Sequence, residues 1–175
     1  MNIVFLDIDG VLQPYNSGYR FLNVDKTIIE KLSILYNTDY SRYDFWDVAA
    51  VYYDWDEQAV ARLKYILNET NSKIIISSNW RSKTFPNKMI DLLKIHNLDN
   101  YWIADNIIFD YQENNTLAKR RSKEINHSLE KYNIKNFVIL DDEKELEIYF
   151  PNNSVITHNI IEIKDMKKCI KILKF

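Results

Sequence analysis

Residues Asn2 to Leu6 read N-I-V-F-L, an unbroken apolar run rich in β-branched and aromatic side chains that ends on charge at Asp7. So short and uniform a run fits a strand covered on both faces, and strands of that kind belong to parallel sheets with helices on either side. The same texture returns at Ile74 to Ile76 and Phe137 to Leu140, and more weakly at Ile107 to Phe109 and Val155 to Ile156. Helical patterns lie between these runs. From Trp55 to Thr70, the side chains of Ala59, Val60, Leu63, Ile66 and Leu67 form one stripe, and Asp54 with Glu57 is placed for a capping box. Thr84 and Pro86 open a second helix carrying Met89, Ile90 and Leu93. Ile125, Leu129 and Tyr132 mark a third, and Met166, Cys169, Ile170 and Leu173 a fourth. This alternation predicts an α/β fold, a Rossmann-like parallel sheet flanked by helices.

The stretch after the first strand breaks the rhythm. Asp25 can cap a helix running through Tyr36, with Ile28, Ile29, Leu32 and Leu35 apolar, but Tyr40, Tyr43, Phe45, Trp46, Tyr52 and Tyr53 then crowd a segment with no clear period. We read residues 13–53 as a small aromatic-rich, cap-like insert over the cleft of a single domain spanning residues 1–175. With 46% apolar and 27% charged residues, the chain has the balance of a folded globular protein and not of a disordered or fibrous one. A formal charge of −2 exerts no global pull on a polyanion, so sequence-specific DNA binding is not expected. The lone Cys169 excludes an internal disulfide and a cysteine-based zinc cage, is expected to pack in the core, and points to a reducing compartment. No apolar run reaches the ~18 residues of a membrane span, and Asp7 and Asp9 stand where a signal peptide would be basic and then apolar. A cytoplasmic protein is the expectation.

In a parallel sheet the ligand sits beyond the carboxyl ends of the strands, which directs attention to Asp7, Ser77 and Asp141. The opening L-D-I-D-G sets two carboxylates two residues apart at a buried strand end, costly unless they bind something. An extended chain would bring Asp7 and Asp9 to one face, and Gly10 permits a tight turn beside a ligand. A calcium loop starting at Asp7 fails, because its twelfth position is Gly18. In K-I-I-I-S-S-N-W-R, Ser77 and Ser78 can donate to an anionic oxygen, although a strand-end hydroxyl is also commonplace. Lys119, Arg120, Arg121 and Lys123 form the densest basic run, read either as a solvated helix start or as phosphate contacts. In F-V-I-L-D-D-E, Asp141 and Asp142 repel each other in a way a bound cation would relieve. His96 and His127 fall in helical segments without partners and are read as surface or packing residues.

These four signals, in this order, resemble the haloacid dehalogenase (HAD) superfamily: D-x-D after the first strand, Ser or Thr after the second, a Lys or Arg, then an acidic pair. More narrowly, L-D-x-D-G-V-L, A-V-x-x-L before a strand ending S-S-x-W-R, R-x-x-E-I and V-I-L-D-D resemble the phosphatase domain of Swiss-Army-knife RNA-repair proteins. The likeness runs from Asn2 to about Leu173 and covers Gln13 to Tyr53 poorly. Ser122 stands where that group usually has Gly, and His158 where it usually has Asp.

The resemblance implies a HAD-like fold and a phosphomonoesterase in which Asp7 becomes transiently phosphorylated and Asp9 serves as acid and base. It implies Mg2+ held by Asp7, the backbone carbonyl of Asp9 and Asp142, with Asp141 behind them. Ser77 and Arg121 would meet the transferring phosphoryl group, Lys119 and Lys123 being alternatives to Arg121, while Ser78 and Lys119 would bind substrate. The implied substrate is a small phosphomonoester, a nucleotide or a nucleic-acid terminus, and aromatics between Tyr36 and Trp55 can stack a base. Without a Gly-rich phosphate loop a Walker-type kinase is excluded. A receiver domain would carry its acid pair and its acceptor aspartate in the reverse order. A catalytically silent HAD-like module that binds phosphate or a protein is the alternative, separable by magnesium-dependent phosphate release.

Overall fold

The computed structural model describes residues 1–81, 87–105 and 116–174. Four apolar runs form the strands β1 (Asn2–Leu6), β2 (Ser72–Ile76), β3 (Asn136–Asp141) and β4 (Ser154–Ile156), all parallel, in the order β2-β1-β3-β4. Alternation along β1 divides the core. Val4 and Leu6 join one buried cluster with Leu63, Leu67 and Cys169, whereas Ile3 and Phe5 join another with Ile125, Leu146 and Phe150. Both faces of β1 are therefore covered, as its unbroken apolar run requires. The expected strand at Ile107 to Phe109 lies outside the described residues.

The chain contains eight described α-helical segments: α1 (Tyr19–Leu22), α2 (Thr27–Tyr36), α3 (Phe45–Ala49), α4 (Glu57–Thr70), α5 (Asn87–Lys94), α6 (Leu117–Lys131), α7 (Leu146–Tyr149) and α8 (Ile163–Lys174). The cap of α4 differs from the expected one. Asp56, not Asp54, accepts from the Ala59 amide, because Asp54 is occupied by Arg20. Thr84 and Pro86, the expected start of α5, lie outside the described residues. With only two glycines in the chain, asparagine closes helices: Asn37 ends α2 and Asn71 ends α4, both in the left-handed region that Asn tolerates.

Residues 13–53 are more ordered than their sequence implies. Asp44 caps α3 through the Trp46 amide, and the helix continues into a π turn at Ala50–Asp54. Asp25 accepts from the Thr27 amide at the start of α2. Ile28, Leu32, Tyr40, Val48 and Val51 share the core cluster of Val4 and Leu6, and the buried Tyr40 hydroxyl donates to the Asp91 carbonyl on α5 at 2.6 Å. The aromatic crowding is thus resolved by division: some rings enter the core, while Phe21, Trp46 and Tyr52 stay exposed. Among the described residues no helix is long and apolar enough to cross a membrane.

Candidate active site

Strand register creates the site. Leu6 pairs with Ile76 on one side and Leu140 on the other, so the next residue of each strand falls in one row: Asp7 between Ser77 and Asp141. The row is tied by the Asp7 amide donating to the Leu140 carbonyl at 3.0 Å and the Ser77 amide to the Leu6 carbonyl at 2.9 Å. β1 is also where the connections reverse direction across the sheet, the place where parallel sheets open a crevice.

Asp7 and Asp141 are 2% and 0% exposed, and the cation that compensates them comes from α6. Thr116 caps that helix through the Lys119 amide, and one turn later Arg121 is buried. Its Nη1 donates to Asp7 Oδ2 at 2.9 Å and to both Asp141 oxygens at 2.6 Å. Lys119 and Lys123 are exposed, whereas Arg121 is buried against these carboxylates. Burial works against the Arg121 charge, but Asp7 and Asp141 outweigh it and its pKa is raised. Burial likewise pushes Asp7 up to about 6 against the pull of Arg121 and Ser78, and burial with the charge of Asp7 pushes Asp141 up to about 7.

Asp142 completes the acidic group: one carboxylate oxygen each from Asp7, Asp141 and Asp142 lie within 4.8 Å of one another. Three carboxylates against one guanidinium leave uncompensated negative charge, and Asp7 Oδ1 is buried with no hydrogen-bond partner. That donor set, all hard oxygen with an open lone pair, fits a divalent cation such as Mg2+. The Tyr15 hydroxyl, missed in the sequence, donates to Asp142, and burial together with Asp142 raises its pKa. Gly10 allows this contact. Its φ is +73°, and a Cβ there would lie 2.6 Å from the Tyr15 hydroxyl oxygen and 2.9 Å from the Asp142 Cβ.

Asp9 does not join the carboxylate group. The chain stops being extended after Asp7 and wraps around the Ile8 carbonyl, which accepts from the amides of Val11, Leu12 and Gln13. This turn leaves Asp9 exposed, with Oδ2 accepting from Trp80 Nε1 at 3.0 Å, and partial burial raises its pKa. Ser77 is 3% exposed and its Oγ has no partner, whereas Ser78 Oγ accepts from the Trp80 amide at 3.3 Å.

The two departures from the family pattern are harmless locally. Ser122 lies within α6, where its hydroxyl donates to the Lys119 carbonyl, and no glycine conformation is needed. Thr157, just before the exposed His158, anchors the loop by donating to the Gly10 carbonyl at 2.6 Å. Sequence reading overlooked what Trp80, Arg81 and Glu124 do, although all three stand inside its motifs. Arg81 donates to the Ser78 carbonyl and forms an ion pair with Glu124, tying the second strand end to α6 one turn beyond Arg121. His96, expected to be a surface or packing residue without partners, does pack but has partners: it lies just past α5, stacks on Trp55 with ring centroids 5.2 Å apart, and has Nε2 2.8 Å from the Val51 carbonyl. His127 is exposed.

Neither the curated proteins nor the solved structures searched gave a match to the chain. A family model described as the HAD domain in Swiss Army Knife RNA repair proteins matches residues 3–163. Since that match takes in all four described strands but for Asn2, and each residue of the acidic and basic cluster, the chain belongs to the family of HAD domains of Swiss Army Knife RNA repair proteins.

Proposed function

We propose that this domain is a Mg2+-dependent phosphomonoester hydrolase working through an aspartyl-phosphate on Asp7. The observation that carries the reading is the buried convergence of Asp7, Asp141, Asp142 and Arg121 at the ends of β1 and β3. In the first half-reaction Asp7 attacks phosphorus, an O–P bond forms, and the bond to the leaving oxygen breaks as Asp9 gives it a proton. In the second, water attacks the same phosphorus, Asp9 takes its proton, and the Asp7 carboxylate leaves. Partial burial raises the pKa of Asp9, the direction a general acid requires.

Arg121 and the unpartnered Ser77 hydroxyl would hold the equatorial oxygens of the phosphoryl group, the electrostatic part of catalysis. Mg2+ held by Asp7, Asp142 and the Asp9 backbone carbonyl, with Asp141 behind them, would offset phosphate charge when bound. Ser78 and Lys119 are the proposed further substrate contacts. The RNA-repair description of the family supports a nucleotide or a nucleic-acid end as substrate, and the buried free Cys169 is compatible with the reducing cytoplasm as its compartment. Phosphate release from p-nitrophenyl phosphate, with and without Mg2+, tests the reading. Release that Mg2+ fails to stimulate, or that survives Asp7→Asn, would overturn it.

A further inference from the structure

Beside Asp9 lies a second feature that the phosphoryl-transfer chemistry leaves unused, a cavity of about 310 Å³ lined in part by Asp9, Gln13, Arg20, Phe21, Trp46 and Trp80. Two of its aromatic walls, Phe21 and Trp46, are not core, whereas Trp80 packs against the core beside Trp55. Phe21 is 58% and Trp46 41% exposed, whereas Tyr40 of the same segment is 0% exposed. The Phe21 and Trp46 rings meet at 5.4 Å between centroids and tilt by 40°, with Arg20 over the Phe21 ring and Phe45 edge-on to Trp46, and both rings line the cavity while open to solvent. α1, which carries Phe21, buries none of its residues, so packing does not account for its composition.

Two polar groups are built into the same wall. The side chain of Asp54 is fully buried, accepts from the Arg20 amide at 3.1 Å and pairs with Arg20 Nε at 3.3 Å, which fixes the guanidinium at the cavity with its Cζ 4.9 Å from the Phe21 ring centroid. Gln13 is 8% exposed, and its Oε1 is buried with no hydrogen-bond partner. An orphaned buried acceptor is costly and rare, and a donor arriving with a ligand would satisfy it. Trp80 then joins the cavity to the chemistry, since its indole N–H holds Asp9, the proposed acid for the leaving oxygen.

We infer that this cavity is the leaving-group subsite and that it takes one nucleoside, its base against Phe21, Trp46 and Trp80 and an N–H of the base on Gln13. This rests on the phosphohydrolase reading above. A sugar phosphate offers no flat face, and a phenyl ring offers no donor to Gln13, so the combination of stacking surface and buried acceptor selects a nucleobase over both. The volume is near the lower end of the ~300–1,000 Å³ typical of small-molecule sites, room for one nucleoside and not two. Arg20 adds a fixed positive charge for a ribose hydroxyl or for the next phosphate of a strand.

The test compares kcat/KM for nucleoside monophosphates, ribose 5-phosphate and phenyl phosphate in the wild-type protein and in Trp46→Ala, Phe21→Ala and Trp46→Phe. The nucleotide should lead both other substrates, and the nucleotide-to-ribose-phosphate ratio should fall roughly 5- to 150-fold in each alanine variant, the loss of one stacked base, while Trp46→Phe keeps most of it. A tetranucleotide phosphorylated at one end separates the two sources of a nucleoside: preference for it assigns the subsite to a strand terminus, and equal or better turnover of the mononucleotide assigns it to free nucleotides. Ratios unmoved by Trp46→Ala, or phenyl phosphate turned over as well as a nucleotide, would overturn the assignment. If no phosphomonoester is hydrolysed, the catalytic reading fails by itself, and quenching of tryptophan fluorescence by unphosphorylated nucleosides still decides the subsite: quenching lost in Trp46→Ala supports it, and its absence in the wild type refutes it.

Discussion

The strand-end cluster and the wall made by residues 13–53 both neighbour Asp9 but are built on opposite terms. Asp7, Asp141 and Arg121 are almost wholly buried, and each is held by a neighbouring strand or by a helix of three turns or more. Arg20, Phe21 and Trp46 stand on helices of four and five residues; Phe21 and Trp46 are exposed, and Arg20 is half-buried by its pairing with Asp54. The contrast teaches that charge chemistry needs low dielectric and fixed geometry, which only the sheet supplies, while selection of a leaving group needs surface that can accommodate different shapes.

The sharpest way to break that contrast is at the proposed nucleophile, Asp7. Asp7→Asn should lower turnover by roughly a thousandfold or more and leave far-UV circular dichroism unchanged; Asp9→Asn should lose roughly 100- to 10,000-fold and let labelled phospho-enzyme accumulate. Retained activity in Asp7→Asn would remove the nucleophile assignment.

Arg121→Met probes the buried side for stability. It leaves Asp7 and Asp141 facing each other in the interior without a cation, and a cost of about 3–5 kcal/mol is expected in urea unfolding at pH 7. Since both carboxyls hold protons readily, the deficit should shrink at pH 5. A loss independent of pH would mean that Arg121 matters by packing alone.

The same carboxyls set the pH dependence of the metal-free protein. Their folded pKa values, about 6 and about 7, lie above the ordinary value of 3.8, so the folded chain binds protons more tightly than the unfolded chain. These groups therefore make stability fall as pH rises from about 4 to about 7. Mg2+ at the proposed site would compete with those protons, and the gain in Tm on its addition should be larger at pH 7 than at pH 5; the reverse order would contradict the proposed assignment of the metal to this cluster.

At the exposed side the effect should be smallest. Leu22→Ser, at a position 81% exposed on α1, should shift stability by less than about 0.5 kcal/mol in urea unfolding. A loss above 2 kcal/mol would show that α1 is part of the folding core and not a surface element.

Much of this was legible in the residues alone. The unbroken run of β1 declared a strand covered on both faces, and Asp7, Ser77 and Asp141 drew attention because each follows such a run. The choice of Arg121 for the site was indicated only by the family pattern, and as a phosphoryl contact, not as a partner of these acids, since local sequence makes Lys119, Arg120, Arg121 and Lys123 equivalent cations until the phase of α6 decides which one is buried. Asp54 was mistaken for a helix cap because a capping box is a pattern of spacing, and spacing does not reveal that Arg20 competes for the carboxylate.

By itself, then, the sequence determined the period of each element, the strand ends where polar atoms gather, and the presence of more acid than base in the candidate site, because these follow from side-chain chemistry at fixed short separations. Tertiary structure alone decided that Asp9 turns away from Asp7 toward Trp80, that Tyr15 reaches Asp142 over Gly10, and that Gln13 and Arg20 meet Phe21 and Trp46 beside Asp9. Two of those contacts join residues 71 and 127 positions apart and another hangs on a turn around one carbonyl, and no local propensity encodes them: they exist because closing the core brings loop ends together and leaves each buried polar atom only the partners within reach.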